Sequence, residues 1–353
     1  MVWLISIIVP TYNERENIEE LIKRIDTSLR KEGLEYEVII VDDNSPDGTA
    51  DVAESLSSEY PIKVVRRPGK LGLSSAVLDG FKVSKGDLVV VMDADLQHPP
   101  EVIPKLVRAA MDGCDVVIAS RYVKGGSVGE WSVLRKLISK GATLIARILL
   151  PQSRNVKDPM SGFFLFKRDV LERSNGLDPK GFKILLEILV KGRYRSVCEV
   201  PFKFGQRFKG QSKLGMKEII NYVVHVLTLS PSYLKFAIVG GIGTIVNLAV
   251  LYVERYLLGI PHVIAAPIAI EVSVLNNFTL NDLWTFKTAR KGSWVSRLVK
   301  FHGSSAAGIL TQISVSIGTY EFVVHNSILA QLLGIIMGFI LNYMISRKYV
   351  WKS

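Results

Sequence analysis

The chain has 353 residues, 48% hydrophobic and 22% charged, and carries a formal net charge of +11. That combination excludes a simple soluble domain. It points to two or three domains, with a soluble part joined to a lipid-embedded part, and to anionic partners such as nucleotides, phospholipid surfaces or lipid phosphates.

No homeodomain, zinc-finger or RNA-recognition pattern is present, so nucleic acid is not an expected partner. Cys114 and Cys198 lie far apart without metal-ligand spacing and read as reduced core thiols. The N-terminal MVWLISIIVPTY lacks a basic n-region and a small-residue cleavage site, so it reads as a first strand rather than a signal peptide.

From there to about residue 125, short Val/Ile-rich runs alternate with helical patterns. WLISIIVPT, YEVIIVDD, IKVVRR, DLVVVMDAD and DVVIASR read as strands; ERENIEELIKRIDTSLRK, the stretch from about Thr49 to Glu59, LSSAVLDGFKVS and a segment opened by Pro99-Pro100 read as helices. Such alternation predicts an α/β fold with a parallel, doubly wound sheet covered on both faces. Ligands in these sheets sit beyond the carboxyl ends of the strands. TYNE, DDNSPDG, DADLQ and SRY all fall at those ends and should converge on one crevice.

WSVLRKLISKGATLIARILL predicts a long helix with cations at 135, 136, 140 and 147 among bulky apolar residues. It suits a membrane-surface helix; the alternative is a helix packed on the sheet with a solvated basic face. SGFFLFKRDV reads as a further strand leading into a helix.

Beyond about residue 231 an all-α membrane domain is expected, with spans near 235–258, 262–283, 303–324 and 327–346, each close to the ~20 residues a bilayer requires. The connection ARKGSWVSRLVK and the tail SRKYVWKS are basic, whereas GIPH and HNS carry no Lys or Arg. The positive-inside rule then places both termini, and the soluble domain, in the cytoplasm. Lys235-Phe236 recurs as Lys300-Phe301, Gly243 as Gly308 and Asn277-Phe278 as Asn342-Tyr343, all 65 residues apart. The spans therefore read as two copies of a two-helix unit. Asn247, Glu271, Asn276, Asn277, Gln312 and Asn342 are expected to face the bundle interior, as interhelical hydrogen bonds or as a transport path.

Asp93 and Asp95 flank one small residue at the end of an apolar run, so one turn can aim both at the same ligand. Gln97 adds a third oxygen. Carboxylate and amide oxygens suit Mg²⁺ or Mn²⁺, which bind substrate phosphates. The alternative is an acidic helix cap before Pro99.

VPTYNERENI, VDDNSPDGT and MDADLQHPPE, in that order, resemble glycosyltransferase family 2 on the GT-A fold, which implies a Rossmann-like, mostly parallel sheet. SRYVKGG, RKLISKGA and KDPMSGFFLF are similar to the polyprenyl-phosphate (dolichol-phosphate) mannosyltransferases within it. The soluble resemblance spans about residues 4–230, including interface helices near 131–150 and 216–230; residues 234–353 resemble the GtrA-like four-span membrane domain. The resemblance implies that Pro10, Tyr12, Glu14, Val41 and Asp43 hold the nucleoside of a nucleotide sugar. Asp93, Ala94, Asp95 and Gln97 would contact its diphosphate, with Asp95 and Gln97 on the metal and Asp93 a third candidate. Arg207 and Lys213, on the Gly-punctuated basic loop FGQRFKGQSKLG, would close over the diphosphate. Asp42 has the simpler reading of a turn cap with Ser45 and Asp47.

A neutral hydroxyl acceptor needs a general base. GLDPKGFKILLEILVKG, where many inverting relatives carry an acid pair, offers Glu187 alone, and the processive Q-x-x-R-W signature is absent. A phosphate monoester is already anionic and needs only cations that position it. Arg135 and Ser139 share a helix face, and Arg121 approaches from the sheet; these three are assigned to a lipid phosphate. The expected activity is inverting transfer of mannose from GDP-mannose to a polyprenyl phosphate. Alternatives are a polyprenyl-phosphate glucosyltransferase using UDP-glucose and, from a different class, a lipid-linked sugar flippase or docking module.

Overall fold

In the computed structural model, residues 3–129, 131–174, 176–177, 183–205, 216–323 and 327–351 are described. The chain divides into two compact units, Met1–Leu229 and Ser230–Ser353.

The first unit runs β1 (Ile5–Thr11), α1 (Arg15–Arg30), β2 (Tyr36–Asp42), α2 (Thr49–Ser55), β3 (Ile62–Arg66), α3 (Leu73–Val83), β4 (Leu88–Val91), α4 (Ile103–Met111) and β5 (Val116–Ser120). It continues with α5 (Val133–Leu149), β6 (Phe164–Lys167), α6 (Asp169–Glu172), α7 (Ile184–Lys191), β7 (Val197–Pro201) and α8 (Met216–Leu229). The described strands form one sheet in the order β3-β2-β1-β4-β6-β5-β7.

Every pairing is parallel except those of β6, which runs antiparallel to both β4 and β5. The sheet is therefore mostly parallel, as the resemblance to the GT-A fold implies, and β6 is its exception. The reason is local: the chain re-enters at the carboxyl edge, where Ser161 Oγ donates to Ala119 O at 2.7 Å. No crossover carries it back to the amino edge first, so β6 must run the other way.

Strand alternation sorts the core into two layers. Ile5, Ile7, Val9, Val38, Ile40, Leu88 and Val90 join the apolar faces of α1 and α4. Ile8, Ile39, Val41, Val89 and Val91 join α3 and α7. Gly80 allows α3 to sit close on the sheet: a Cβ there would lie 2.6 Å from Ile8 Cγ2 and 3.0 Å from Val41 Cγ2. A third cluster binds α5, α7 and α8 through Ala146, Leu186, Tyr222 and Val226, and Tyr222 Oη donates to Ala142 O at 2.6 Å.

Cys114 and Cys198 are disulfide-bonded, with Cα atoms 6.0 Å apart, which corrects the reading of both as reduced thiols. Neighbouring parallel strands bring them together: β5 pairs with β7, and Asp115 N and Val116 N both donate to Ser196 O just before β7. A spacing of 84 residues gives no hint of such a pairing.

The second unit contains α9 (Ser232–Tyr252), α10 (His262–Leu280), α11 (Trp294–Phe322) and α12 (Ser327–Ile345). Among the described residues, α9 is the one helix long and apolar enough by itself to cross a membrane, with mean hydropathy 1.9. α11 begins at Trp294 rather than near 303, because Ser293 Oγ caps it by accepting from Ser296 N; most of the basic connection is thus helical. Single π-helical turns extend α10 and α12 at Asn281–Thr285 and Ser346–Val350, 65 residues apart. Phe286 and Trp351, separated by the same interval, stack with centroids 4.4 Å apart. Gly243 abuts Asn277 and Gly308 abuts Asn342. Glu271 does not face an interior as expected: its side chain is 55% exposed and accepts from His302 Nε2 at 3.0 Å, because α11 supplies the partner at the surface.

The disulfide closes a long loop, so Cys114→Ser is expected to cost about 2–4 kcal/mol of stability. Thermal unfolding of the full chain without reductant should show a lower Tm for the variant, matched by reduced wild-type protein. Quantitative labelling of two free thiols in the unreduced wild type would contradict the bond.

Candidate active site

The carboxyl ends of β1 and β2 are tied together before any ligand arrives. Thr11 Oγ1 donates to Asp42 Oδ1 at 2.9 Å, and Asp42 also accepts from Ser45 N and Ser45 Oγ. Asp42 is therefore a turn cap. Asn13 N donates to Ser45 Oγ and Glu14 N to Thr49 Oγ1, so the two strand-end loops form one wall. Asp43 is buried against Arg67, with Oδ1 on Arg67 Nη1 and Oδ2 accepting from Gly72 N at 3.0 Å. Lys70 Nζ lies 3.9 Å from the centroid of the Tyr12 ring. Pro10, Tyr12 and Glu14 are partly exposed at this edge. Val41 is not: its side chain is fully buried in the layer under α3. Strand alternation turns that side chain into the core, so the group Val41 can offer a nucleoside is its backbone.

At the end of β4 the chain turns sharply, with Leu96 at φ 61°. Asp95 Oδ1 accepts from Gln97 N at 3.1 Å. The Gln97 side chain donates to Gly205 O, and Gly205 N donates to Gln97 O. This pins the residue that leads into the basic loop. Arg207 and Lys213 themselves lie outside the described residues.

Asp93 is anchored from behind: its N–H donates to His98 Nδ1 at 3.0 Å, which assigns the His98 proton to Nε2. His98 is buried, stacked on Phe163 and edge-on to Phe202 and Phe204. Burial pushes its pKa down to about 4 despite the nearby Asp95. A Cβ on Gly162 would meet both His98 Cε1 and Asp93 Oδ2, so a glycine is what fits beneath the turn.

Beside the carboxylates stands a set of cations. Arg121 makes a two-pronged ion pair with fully buried Asp158, Nε to Oδ2 and Nη2 to Oδ1 both at 2.7 Å, and its backbone N–H reaches the same carboxylate. Burial opposes the Arg121 charge, but the Asp158 bonds outweigh it and hold the guanidinium protonated. The Trp131 ring lies 5.1 Å from the Arg121 guanidinium carbon and 4.2 Å from that of Arg135, so it wedges between them. Lys183 donates to Met160 O at 3.2 Å; burial, then the Arg121 charge, lower its pKa. Ser139 Oγ is bonded to Tyr122 Oη at 2.8 Å.

These groups surround one cavity of ≈ 460 Å³. Its strand ends contribute the charged Asp93, Asp95 and Arg121, whereas α5 and α8 contribute Ile138, Ala142, Ile145, Ile219 and Val223. On the outside of the same helices Val133, Leu137, Leu144, Ile148, Ile220 and Val224 are more than half exposed.

The donor set fits a hard divalent cation. Asp93, Asp95 and the Gln97 side-chain oxygen are all oxygen ligands. Among the described residues no group of three or more His, Cys, Asp and Glu is close enough to hold a metal alone. Mg²⁺ and Mn²⁺ characteristically complete their shell from waters and substrate phosphates.

Comparison with known sequences bears on this arrangement directly. The family model for glycosyl transferase family 2 matches residues 6–174, and the GtrA/DPMS transmembrane domain matches 235–351. The chain is 51% identical to a dolichol-phosphate mannosyltransferase of Pyrococcus furiosus, over 99% of both chains. The chain belongs to the dolichol-phosphate mannosyltransferase family. It is also 42% identical to the Saccharomyces cerevisiae dolichol-phosphate mannosyltransferase, over 62% of this chain and 84% of that one. A mannosyl-3-phosphoglycerate synthase from Rubrobacter xylanophilus resembles it at 19% identity with a TM-score of 0.48, covering 64% of this chain and 72% of that one; that likeness is too distant to speak to chemistry.

Asp93, Asp95, Gln97, Arg121, Arg135 and Ser139, assigned from sequence to diphosphate and acceptor, line the one cavity. Ala94 is buried in the turn between them. Glu187 is elsewhere: it is buried in α7 and paired with Lys191 at 2.6 Å. His98, Asp158 and Lys183 were not singled out. Their signals were present within quoted motifs, as the His of DADLQHPP, the Asp before Pro159, and a lone Lys ahead of an apolar helix.

Because His98 stays neutral down to about pH 4, its acceptor role on Asp93 N–H persists through the ordinary histidine range. The pH–rate profile of the wild type is therefore expected to lack a His98-dependent limb between pH 8 and 5 and to lose the Asp93 anchor only on further acidification. A limb centred near 6.5 that disappears in His98→Gln would contradict this.

Proposed function

We propose that this chain transfers mannose from GDP-mannose to a polyprenyl phosphate with inversion at the anomeric carbon. The observation that carries this reading is the single cavity that places two carboxylates and three cations beside apolar walls from α5 and α8. Such a lining matches a phosphate on an isoprenoid chain better than it matches a wholly polar sugar acceptor.

The acceptor oxygen is already charged, which removes the need for a proton acceptor. Among the described lining residues the carboxylates are Asp93 and Asp95; His98 is committed to Asp93 N–H, and Glu187 and Asp158 are bound to cations. Arg121, Arg135 and Ser139 position the phosphate so that one oxygen approaches the sugar carbon opposite the departing nucleoside diphosphate. The C–O bond to the diphosphate breaks as the new C–O bond forms, and no covalent enzyme intermediate is needed. Arg207 and Lys213 would stabilise the charge that develops on the leaving diphosphate. Asp95 and Gln97, with Asp93, would hold Mg²⁺ or Mn²⁺, which supplies charge neutralisation at that diphosphate. Pro10, Tyr12, Glu14 and Asp43, with the backbone of Val41, would flank the nucleoside.

The wider organisation follows the same reading. Residues 231–353 would span the bilayer four times as two 65-residue repeats, with the catalytic domain and both termini cytoplasmic. The exposed apolar faces of α5 and α8 would rest in the membrane interface and admit the lipid.

Membranes containing the full chain, incubated with labelled GDP-mannose and polyprenyl phosphate, should form an acid-labile mannolipid, with UDP-glucose a poor donor. Asp95→Ala should lower turnover roughly 100-fold or more. Equal use of the uncharged polyprenol would overturn the acceptor assignment, and preference for UDP-glucose would favour the glucosyltransferase alternative.

A further inference from the structure

A second cavity, of ≈ 430 Å³, lies on a different face of α5, lined by Tyr122, Lys140, Thr143, Leu144, Arg147 and Lys157. Three of these six side chains are cations and none is an acid. The nearby carboxylate of Glu199 is already occupied, accepting from Lys157 N at 2.8 Å and Asp158 N at 2.9 Å. Arg147 is partly built in: its Nε donates to Val156 O at 2.9 Å, which orients the guanidinium and leaves two Nη groups for a ligand oxygen. Thr143 Oγ1 is turned to Ser139 O.

The position of these cations identifies the ligand class. At about 100° per residue, Val133, Leu137, Leu144 and Ile148 fall on one stripe of α5, and all are exposed. Lys140 and Arg147 fall on the strip immediately beside it, and Leu144 belongs to both stripe and cavity. A helix with its apolar stripe in the acyl boundary holds the adjoining cations at the level of lipid headgroups. We propose that this cavity is a phosphate-ester site that takes the headgroup of an anionic bilayer phospholipid, separate from the site for the acceptor lipid. The wall between the two cavities is the Tyr122 Oη···Ser139 Oγ pair, since Tyr122 lines one and Ser139 the other. A headgroup seated beside Tyr122 would therefore bias the hydroxyl offered to the acceptor phosphate.

The test is lipid retention by the purified full chain, read by native mass spectrometry after exposure to equal phosphatidylglycerol and phosphatidylcholine. The wild type should retain phosphatidylglycerol selectively. Lys140→Ala with Arg147→Ala should lower that retention roughly tenfold or more. Lys31→Ala with Lys105→Ala, an equal loss of exposed charge away from α5, should not. Mannosyl transfer in phosphatidylcholine discs reports that each variant is folded, and lipid retention does not depend on which sugar is transferred. Equal retention by the two double variants, or no preference between the lipids, overturns the site. Displacement of the lipid by inorganic phosphate alone would assign the cavity to free phosphate and overturn the headgroup.

Discussion

The ion pair between Arg121 and Asp158 is the constraint on which the site depends. Asp158 has no exposed surface and Arg121 very little. Two charges so buried are tolerated because the geometry is two-pronged. The backbone N–H of Arg121 supplies a third bond to the carboxylate. Glu199 on β7 in turn accepts the N–H groups of Lys157 and Asp158, so the loop before β6 is fastened to the sheet edge. The result is a guanidinium that cannot relax toward water. Trp131 then hands its position on to Arg135.

This fixed positive edge explains how two carboxylates can share the end of a buried strand. Asp93 and Asp95 face cations held in place by the fold, and the turn that carries them is pinned by His98 on one side and Gly205 on the other. The chemistry such a site supports is displacement by a nucleophile that arrives charged. Proton abstraction would require a carboxylate or imidazole free of other duties, and His98, Asp158 and Glu187 each have one. The apolar walls from α5 and α8 add the second selection, for a lipid.

Much of this was legible in the sequence, for reasons that are local. Val/Ile-rich runs separated by amphipathic helices fix the layered fold, and the residues just after each run must gather at one edge. Arg135 and Ser139 could be assigned together because a helix face follows from spacing alone. What was not legible depended on contacts between distant segments. Which strand runs antiparallel follows from where the returning loop is fastened, and the disulfide from which strands become neighbours. Val41 belongs to the site edge by its position at the end of β2, but the alternation of that strand buries its side chain and leaves only its backbone to offer. Glu271 was placed inside a bundle, but His302 meets it at the surface. Asp158 and Lys183 carry no periodic signal, and only the folded chain shows that they flank Arg121.

The most direct measurement is the effect of Asp158→Asn on the full chain, with donor binding and acceptor kinetics measured separately. The substitution keeps the shape of the side chain and removes the charge that orients Arg121. The expected result is a donor Kd within about threefold of wild type and transfer to polyprenyl phosphate lowered roughly 100-fold. Unchanged transfer, or a loss of transfer matched by an equal loss of donor affinity, would contradict the assignment of Arg121 to the acceptor phosphate.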